Sequence, residues 1–365
     1  MKCPRLPLGG RVNADGLLKS NQGQEADISS VSTPFESTAS GSGGHPRREI
    51  PRGARESTWT APDGYVLRRI DWPVPRAADG AIGPRGSILF MPGRGDAYEK
   101  YIETLDYWAG QGWSVTASDW RGQAGSGRLG LDAVTGHIDD FAVWIADLAA
   151  FWKEWVQHTP GPHVLAGHSM GGHLALRAVA EGAVRPDALI LSAPMLGLTP
   201  YWLPASWVWL AARVMKALGD PRRPAWKWSE KPGEVPEGRE LLLTHDAARY
   251  ADELWWREQR PELVMGPGSW GWVEQSYASI AMLDRAGVLE RVKVPTFIVG
   301  TDDDKLVSPP AIRRAARRLP HCELLMFGPE ARHEILREAD VVRQKALVAI
   351  DAFLTKHAPA KGATG

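Results

Sequence analysis

The pentapeptide Gly167-His168-Ser169-Met170-Gly171 constrains the fold of this chain more than any other segment. The apolar stretch before it, 163–166, predicts a buried parallel strand, and the Ala-, Leu- and Val-rich stretch after it, 172–182, predicts a helix. A side chain at either flanking glycine would collide with the neighbouring strand or helix. The pattern therefore predicts a tight turn that presents Ser169 as a nucleophile, with the helix N-terminus directing its free N–H groups at a developing oxyanion.

Candidate partners for this serine lie in the last third of the chain. A serine hydroxyl is a poor nucleophile at neutral pH, so it needs a base to take its proton and a carboxylate to orient that base. Three consecutive acids, Asp302 to Asp304, follow a strand predicted at 294–300, and catalytic residues collect at the carboxyl ends of parallel strands. A loop after the next predicted strand, 323–327, ends at His333. The chain thus supplies serine, aspartate and histidine in that order.

Further segments resemble the lysophospholipase and monoacylglycerol lipase-like branch of the α/β-hydrolases, which is sometimes grouped with the serine aminopeptidases. Residues 90–95 are similar to the family's H-G-x-G oxyanion loop, and residues 119–128 are similar to its D-x-R-G-x-G-x-S turn. Residues 304–308 and 331–334 resemble its acid and histidine motifs. The likeness covers roughly residues 57–357.

The resemblance implies roles for individual residues. It predicts a triad of Ser169, Asp304 and His333, since the family's D-x-L-V motif aligns at Asp304. Counting from Gly300 favours Asp303 instead, and the two acids remain alternatives for one role.

The oxyanion hole is the second implied feature. The family's donors are backbone N–H groups, here expected from Arg94 and Met170. Pro92 stands where the family has the histidine of H-G-x-G, so the hydrogen bonds that brace this loop must be made differently.

Between residue 193 and about residue 283 the alternation of strands and helices breaks, which is where the superfamily inserts a cap. Nine of the 17 tryptophans of the chain fall in this segment. Packing between cap and core accounts for several of them, and the alternative is an apolar acyl-chain channel whose mouth touches the membrane interface. The glycines of the loop 266–272 are expected to act as hinges for closure over substrate. The rings that we expect to bind substrate are Trp202, Trp207, Trp209 and Trp270.

The predicted fold class is α/β: a doubly wound, mostly parallel sheet of the α/β-hydrolase type, with a helical, tryptophan-rich cap inserted after the sixth strand. The polar stretch 1–56 predicts a disordered extension, because it cannot bury enough apolar surface to offset its ordering entropy. The core is expected at 57–193 and 284–357, the cap at 194–283 and a flexible tail at 358–365.

Composition excludes several other classes of protein. With 43 basic and 43 acidic residues the formal net charge is zero, so no global field attracts nucleic acid or an anionic bilayer. The two cysteines, Cys3 and Cys322, form no disulfide framework or metal motif, and no nucleotide-binding motif follows a strand. We therefore expect no cofactor and no metal. No unbroken apolar signal-peptide region is present, which favours a cytoplasmic protein, with peripheral contact to the inner membrane face through the cap.

The expected activity is hydrolysis of a carboxylic ester through an acyl-enzyme. The resemblance implies a lipid with a single acyl chain, either a lysophospholipid or a monoacylglycerol. A short-chain carboxylesterase is the alternative enzyme. A hydrolase fold retained only for binding is a third reading, which the complete serine, aspartate and histidine set argues against.

Overall fold

The computed structural model describes residues 47–73, 84–200, 202–227 and 238–360. Its strands are β1 (Arg55–Thr60), β2 (Val66–Trp72), β3 (Gly86–Met91), β4 (Trp113–Ser118), β5 (His163–His168), β6 (Ala188–Ser192), β7 (Thr296–Thr301) and β8 (Cys322–Phe327). Its α-helices are α1 (Ile102–Gly110), α2 (Phe141–His158), α3 (Ser169–Ala180), α4 (Ala205–Ala217), α5 (Glu240–Leu243), α6 (Ala247–Gln259), α7 (Trp270–Leu283), α8 (Pro309–Arg318) and α9 (Asp340–His357).

The eight strands form one sheet in the order β1-β2-β4-β3-β5-β6-β7-β8. β1 and β2 form an antiparallel hairpin, and β2 pairs antiparallel with β4, while every other pairing is parallel. The central strands β3, β5 and β6 are apolar and buried along nearly their whole length, as expected for strands covered by helices on both faces. The predicted mostly parallel α/β sheet is confirmed.

Successive residues of a strand point to opposite faces of the sheet, and this alternation divides the core in two. In β3, Leu89 and Met91 pack on the face covered by α2 and α3, whereas Ile88 and Phe90 pack on the face covered by α1 and α9. The carboxyl ends of the parallel strands meet at one edge of the sheet, where the loops after β3, β5 and β7 come together.

In the described parts of the segment between β6 and β7, the chain forms the helices α4 to α7. α7 is fixed to the core, because Trp272, Ile280 and Leu283 belong to the same apolar cluster as α2 and α3. α4 is far more exposed, with Ala212 as its only fully buried residue among those that the structure describes.

The folded part of the chain begins closer to the N-terminus than predicted. Residues 1–46 of the expected extension lie outside the described part, as do residues 361–365 of the expected tail. The boundary at residue 56 is nevertheless wrong, because β1 begins at Arg55 and because Arg47 and Arg48 both donate to the carboxylate of Asp252, at 2.5 and 2.7 Å. Ion pairs to Asp252 hold the segment that precedes β1. The sequence-based boundary considered only how much apolar surface the segment could bury, so it did not detect them.

Within the described ranges, no helix has both the length and the apolar character needed to cross a membrane.

Candidate active site

Ser169 lies at the junction of β5 and α3 with a φ of +51°, in the left-handed region that L-residues rarely adopt. The flanking glycines make this turn sterically feasible. A Cβ at Gly171 would lie 2.2 Å from the carbonyl oxygen of Met91, and one at Gly167 would lie 2.7 Å from the backbone of Gly171. The pentapeptide therefore folds as its spacing predicted, and it places the serine hydroxyl above the sheet edge.

The loops after β7 and β8 bring an aspartate and a histidine to this hydroxyl. His333 Nε2 lies 3.0 Å from Ser169 Oγ, and His333 Nδ1 lies 2.7 Å from Asp304 Oδ2. The second oxygen of Asp304 accepts the backbone N–H groups of Leu306 and Val307, at 2.8 and 2.9 Å. Both oxygens of this carboxylate are thus engaged, which fixes the orientation of the imidazole ring.

The electrostatics of the pair favour an ionised aspartate. Burial alone would raise the pKa of Asp304, but the charge and hydrogen bond of His333 and the two backbone donors lower that pKa below its ordinary value. Burial alone would lower the pKa of His333, and the charge and hydrogen bond of Asp304 outweigh burial and raise it. The imidazole is therefore a stronger base than a free histidine.

The other two acids of the Asp302–Asp304 run lie away from the histidine. The Asp303 carboxylate pairs with Lys305 at 2.5 Å, and the Asp302 carboxylate accepts a hydrogen bond from Arg313 at 3.0 Å. Both carboxylates are exposed to solvent, so of the two alternatives left open by the sequence, the geometry places Asp304 in the triad position.

The two residues expected to supply the oxyanion donors lie on either side of the serine, Arg94 in the loop after β3 and Met170 at the start of α3. Arg94 lines the same cavity as Ser169. Met170 is the second residue of α3, where a backbone N–H has no acceptor inside its own helix.

Three side chains brace this loop in the place of the missing histidine. Asp96 Oδ2 accepts the N–H of Gly93 at 3.1 Å, and Gln123 Oε1 accepts the N–H of Gly95 at 2.9 Å. The indole of Trp120 donates to the carbonyl oxygen of Pro92 at 2.8 Å. The turn 119–128 thus supports the oxyanion loop directly, a role that the sequence did not indicate.

Above the serine lies a cavity of about 530 Å³ with mainly apolar walls. Its volume falls in the range that accommodates drug-sized ligands. Among the described residues, no group of three or more His, Cys, Asp or Glu side chains is arranged to hold a metal ion. The apolar wall residues include Met195, Leu198, Val208, Met265, Val273 and Leu306.

Of the four tryptophans expected to bind substrate, one lines the cavity above Ser169 and three do not. Trp270 lines the cavity. Trp202 and Trp207 do not, and they are 77% and 73% exposed on the outer side of the cap. The indole of Trp209 donates to Glu274 of α7 at 3.1 Å, which makes it a contact between helices. None of these three rings lines the cavity as predicted: Trp207 and Trp209 lie on faces of α4 that point elsewhere, and Trp202 lies in the exposed segment before this helix.

Two other tryptophans, Trp226 and Trp272, line the cavity and were not singled out from the sequence. Only the arrangement of the cap loops distinguishes them from the remaining rings of this segment.

The glycine-containing loop 266–272, expected to act as a hinge, is hydrogen-bonded to segments on both sides. The N–H of Gly266 donates to Val134, and Gly136 exchanges hydrogen bonds with Pro267 and Ser269. On the other side, the N–H of Ala225 donates to the carbonyl oxygen of Gly268 at 2.8 Å. These backbone hydrogen bonds restrain the loop, and its residues Gly266 and Trp270 form part of the cavity wall.

A cluster of buried charges lies beside His333. Lys100 Nζ contacts Glu334 at 2.5 Å, Asp96 at 2.6 Å and Glu253 of α6 at 3.1 Å. Arg337 pairs with both Glu334 and Glu253. The cluster connects the oxyanion loop, the histidine loop and the segment between β6 and β7, and no local sequence pattern indicated it.

His168, next to the nucleophile, belongs to the edge of this cluster. Its Nδ1 lies 2.9 Å from Asp96 Oδ2 and 2.7 Å from the hydroxyl of Tyr101. The imidazole is buried and does not contact the serine hydroxyl.

A strained serine between strand and helix, a histidine in contact with it and a buried aspartate, all at the carboxyl edge of this sheet, define a serine hydrolase of the α/β-hydrolase class. The chain belongs to the family described as serine aminopeptidase, S33, whose model matches residues 83–340. The resemblance expected from the motifs is thereby confirmed.

Relatives and solved structures agree with this assignment. Lysophospholipase L2 of Escherichia coli (strain K12) is 31% identical over 288 residues, which cover 74% of this chain and 80% of that protein. A soluble variant of monoglyceride lipase from Saccharomyces cerevisiae matches with a TM-score of 0.66 at 20% identity, over 86% of this chain and 97% of that one. A thermostable carboxyl esterase from Bacillus coagulans matches with a TM-score of 0.66 at 16% identity, over 84% and 99% of the two chains. At these identities the two structures establish similarity of fold.

Proposed function

We propose that the protein hydrolyses the carboxylic ester of a single-acyl lipid, a lysophospholipid or a monoacylglycerol, through an acyl-enzyme. The observation that carries this proposal is the hydrogen-bonded chain from Asp304 through His333 to Ser169 at the base of an apolar cavity. The relative described as lysophospholipase L2 supports the same substrate class.

In this mechanism His333 takes the proton of Ser169 as the hydroxyl oxygen attacks the ester carbonyl. The N–H groups of Arg94 and Met170 receive the negative oxygen of the tetrahedral intermediate, and each such donor is typically worth about 3–4 kcal/mol. His333 then gives its proton to the departing alcohol. In the second half, His333 takes a proton from the water that attacks the acyl-enzyme and returns it to Ser169 as the acid leaves. Asp304 remains ionised throughout and stabilises the imidazolium.

The family description includes aminopeptidases, but the cavity does not favour a substrate with a free amine. Its two wall carboxylates, Asp96 and Glu334, already have cationic partners: both contact the ammonium group of Lys100, and Glu334 also pairs with Arg337. A cationic amine would have to compete with this buried partner. An ester whose acyl chain is bound mainly by apolar contacts fits these walls better.

We also propose that the cap contacts a membrane surface while the enzyme takes up its substrate. Exposed apolar side chains recur every three or four residues along one side of α4, a spacing that places them on one helical face. The exposed Arg213 of α4 suits an anionic lipid surface, whereas Lys216, the other basic residue of this helix, pairs with Glu274 of α7 at 3.2 Å. We call this exposed apolar set the α4 stripe: Trp207, Leu210 and Val214 lie on α4, Trp202 and Leu203 just before the helix, and Leu218 just after it.

The test is hydrolysis of p-nitrophenyl esters from acetyl to palmitoyl, followed by lysophosphatidylcholine and monoacylglycerol, with Ser169→Ala as the inactive control. We expect activity to rise toward long acyl chains and to fall at least ~10⁴-fold in the variant. Activity confined to acetyl and butyryl esters would replace the lipid substrate by a short-chain ester. Full activity of Ser169→Ala would remove the proposed nucleophile.

A further inference from the structure

Trp226 stands between two cavities. It lines the 530 Å³ cavity above Ser169, and it also lines a second cavity of about 390 Å³ on the outer surface. The second cavity, here called the outer groove, is bounded by Asp132, Val134, Thr135, Pro224, Lys227 and Pro267. Apart from Trp226, the neighbouring Ala225 is the residue that the two cavities share. The indole is therefore a wall that separates them.

The indole is held in this position from several sides. Its centroid lies 6.5 Å from that of Trp272 in an edge-to-face arrangement, and the guanidinium group of Arg94 lies 5.3 Å from it. Gly268 leaves the space that the ring occupies, because a Cβ there would lie 2.8 Å from Cη2 of Trp226. The pairing of Ala225 with Gly268 fixes the backbone next to it.

The chemistry of the triad indicates which part of the substrate faces this wall. The departing alcohol takes its proton from His333, so the head group must lie on the histidine side of the cavity. That side carries the charged residues Glu334 and Arg239. Trp226 and Trp272 line the cavity next to the oxyanion loop instead, where both rings contact the guanidinium group of Arg94. The acyl chain therefore extends toward Trp226.

Resting on the proposed function, we propose that Trp226 is a specificity-determining residue that limits the length of the acyl chain. The chain ends against the indole, and the outer groove lies directly behind it. Removal of the ring joins the two cavities and gives the end of a longer chain further apolar surface to contact. Each additional buried methylene is expected to raise kcat/KM about fourfold.

The experiment compares kcat/KM for octanoyl and palmitoyl p-nitrophenyl esters in Trp226→Phe, Trp226→Leu and Trp226→Ala. We expect the palmitoyl-to-octanoyl ratio to increase as the side chain shrinks, by ~10-fold or more in Trp226→Ala. Trp255→Ala is the matched control, since Trp255 lies on α6 and packs against Trp256 away from both cavities. Its ratio should equal that of the wild type.

A merely structural role for Trp226 would lower both rates together and leave the ratio unchanged, and this result would overturn the inference. The graded series keeps the test informative if the alanine variant unfolds, because phenylalanine and leucine retain most of the packing. Absence of activity in the wild type toward every ester would instead count against the proposed function. The two failures are therefore distinguishable.

Discussion

The carboxylate of Asp96 accepts a hydrogen bond from the backbone N–H of Gly93 at 3.1 Å and forms an ion pair with the ammonium group of Lys100 at 2.6 Å. One side chain thus joins the oxyanion loop to the buried ion cluster beside His333. In the family pattern a histidine occupies the position of Pro92, and here acceptors outside that motif have taken over the support of the loop. The position of the oxyanion loop in this protein therefore depends on an ion pair outside the triad.

The triad pair predicts a specific dependence of activity on pH. His333 must be neutral to accept the serine proton, and its pKa is raised above the ordinary value of about 6.5. We expect kcat/KM to increase with pH through that raised pKa. Asp304→Asn removes the charge that raises it, so the acid limb should move to lower pH while kcat falls ~10⁴-fold.

Asp303→Asn is the control for this change, because its carboxylate is exposed and pairs with Lys305. The pH profile and kcat of this variant should match those of the wild type. An acid limb that moves in Asp303→Asn and stays in place in Asp304→Asn would exchange the roles of the two acids.

We expect Gln123 to position the oxyanion loop for catalysis. Its side-chain oxygen accepts the N–H of Gly95, the neighbour of Arg94. We expect Gln123→Ala to reduce kcat by roughly 10- to 100-fold with little change in KM, because small misplacements of catalytic groups have effects of this size. Gln111→Ala, at an exposed site after α1, should leave kcat unchanged. A change confined to KM in Gln123→Ala would assign Gln123 to substrate binding instead.

Lys100 predicts a large effect on stability. Its ammonium group is the common partner of Asp96, Glu253 and Glu334, and all four side chains are almost fully buried. Lys100→Met leaves three buried carboxylates with fewer cations, so we expect the free energy of unfolding at pH 7 to fall by about 3–5 kcal/mol. Urea unfolding measures this change.

Lys305→Met provides the comparison for an exposed lysine in an ion pair, and it should cost less than about 1 kcal/mol. Equal losses in the two lysine variants would show that the cluster beside His333 contributes no more than a surface pair.

The α4 stripe predicts membrane binding that does not depend on catalysis. Replacing both Trp202 and Trp207 by serine removes the two most exposed indole rings of the described residues. We expect this change to weaken partitioning to phosphatidylcholine vesicles that contain phosphatidylglycerol at least ~10-fold. Hydrolysis of a water-soluble butyryl ester should be unchanged. Sedimentation with vesicles measures the partitioning.

The matched control replaces Val341 and Val348, exposed apolar residues of α9, by serine. Binding that falls equally in both double variants would indicate a general loss of surface hydrophobicity and would remove the specific role of the stripe.

The sequence predicted those features that neighbouring residues fix by steric and periodic constraints. The turn at Ser169 follows from glycines on either side of it, since any Cβ there meets backbone atoms. The strands and their alternation with helices follow from apolar runs, because a strand covered on both faces must be apolar throughout. The order of serine, aspartate and histidine identified the class of chemistry.

Only the tertiary structure decided which of several equivalent residues is used. Asp303 and Asp304 are identical side chains in adjacent positions, and the direction of the loop after β7 decides which one meets His333. Trp207 and Trp226 are the same residue type in the same segment, yet one faces solvent and the other lines the cavity. Such choices depend on contacts between residues far apart in the chain, whereas local sequence specifies only the conformation of the backbone that carries them.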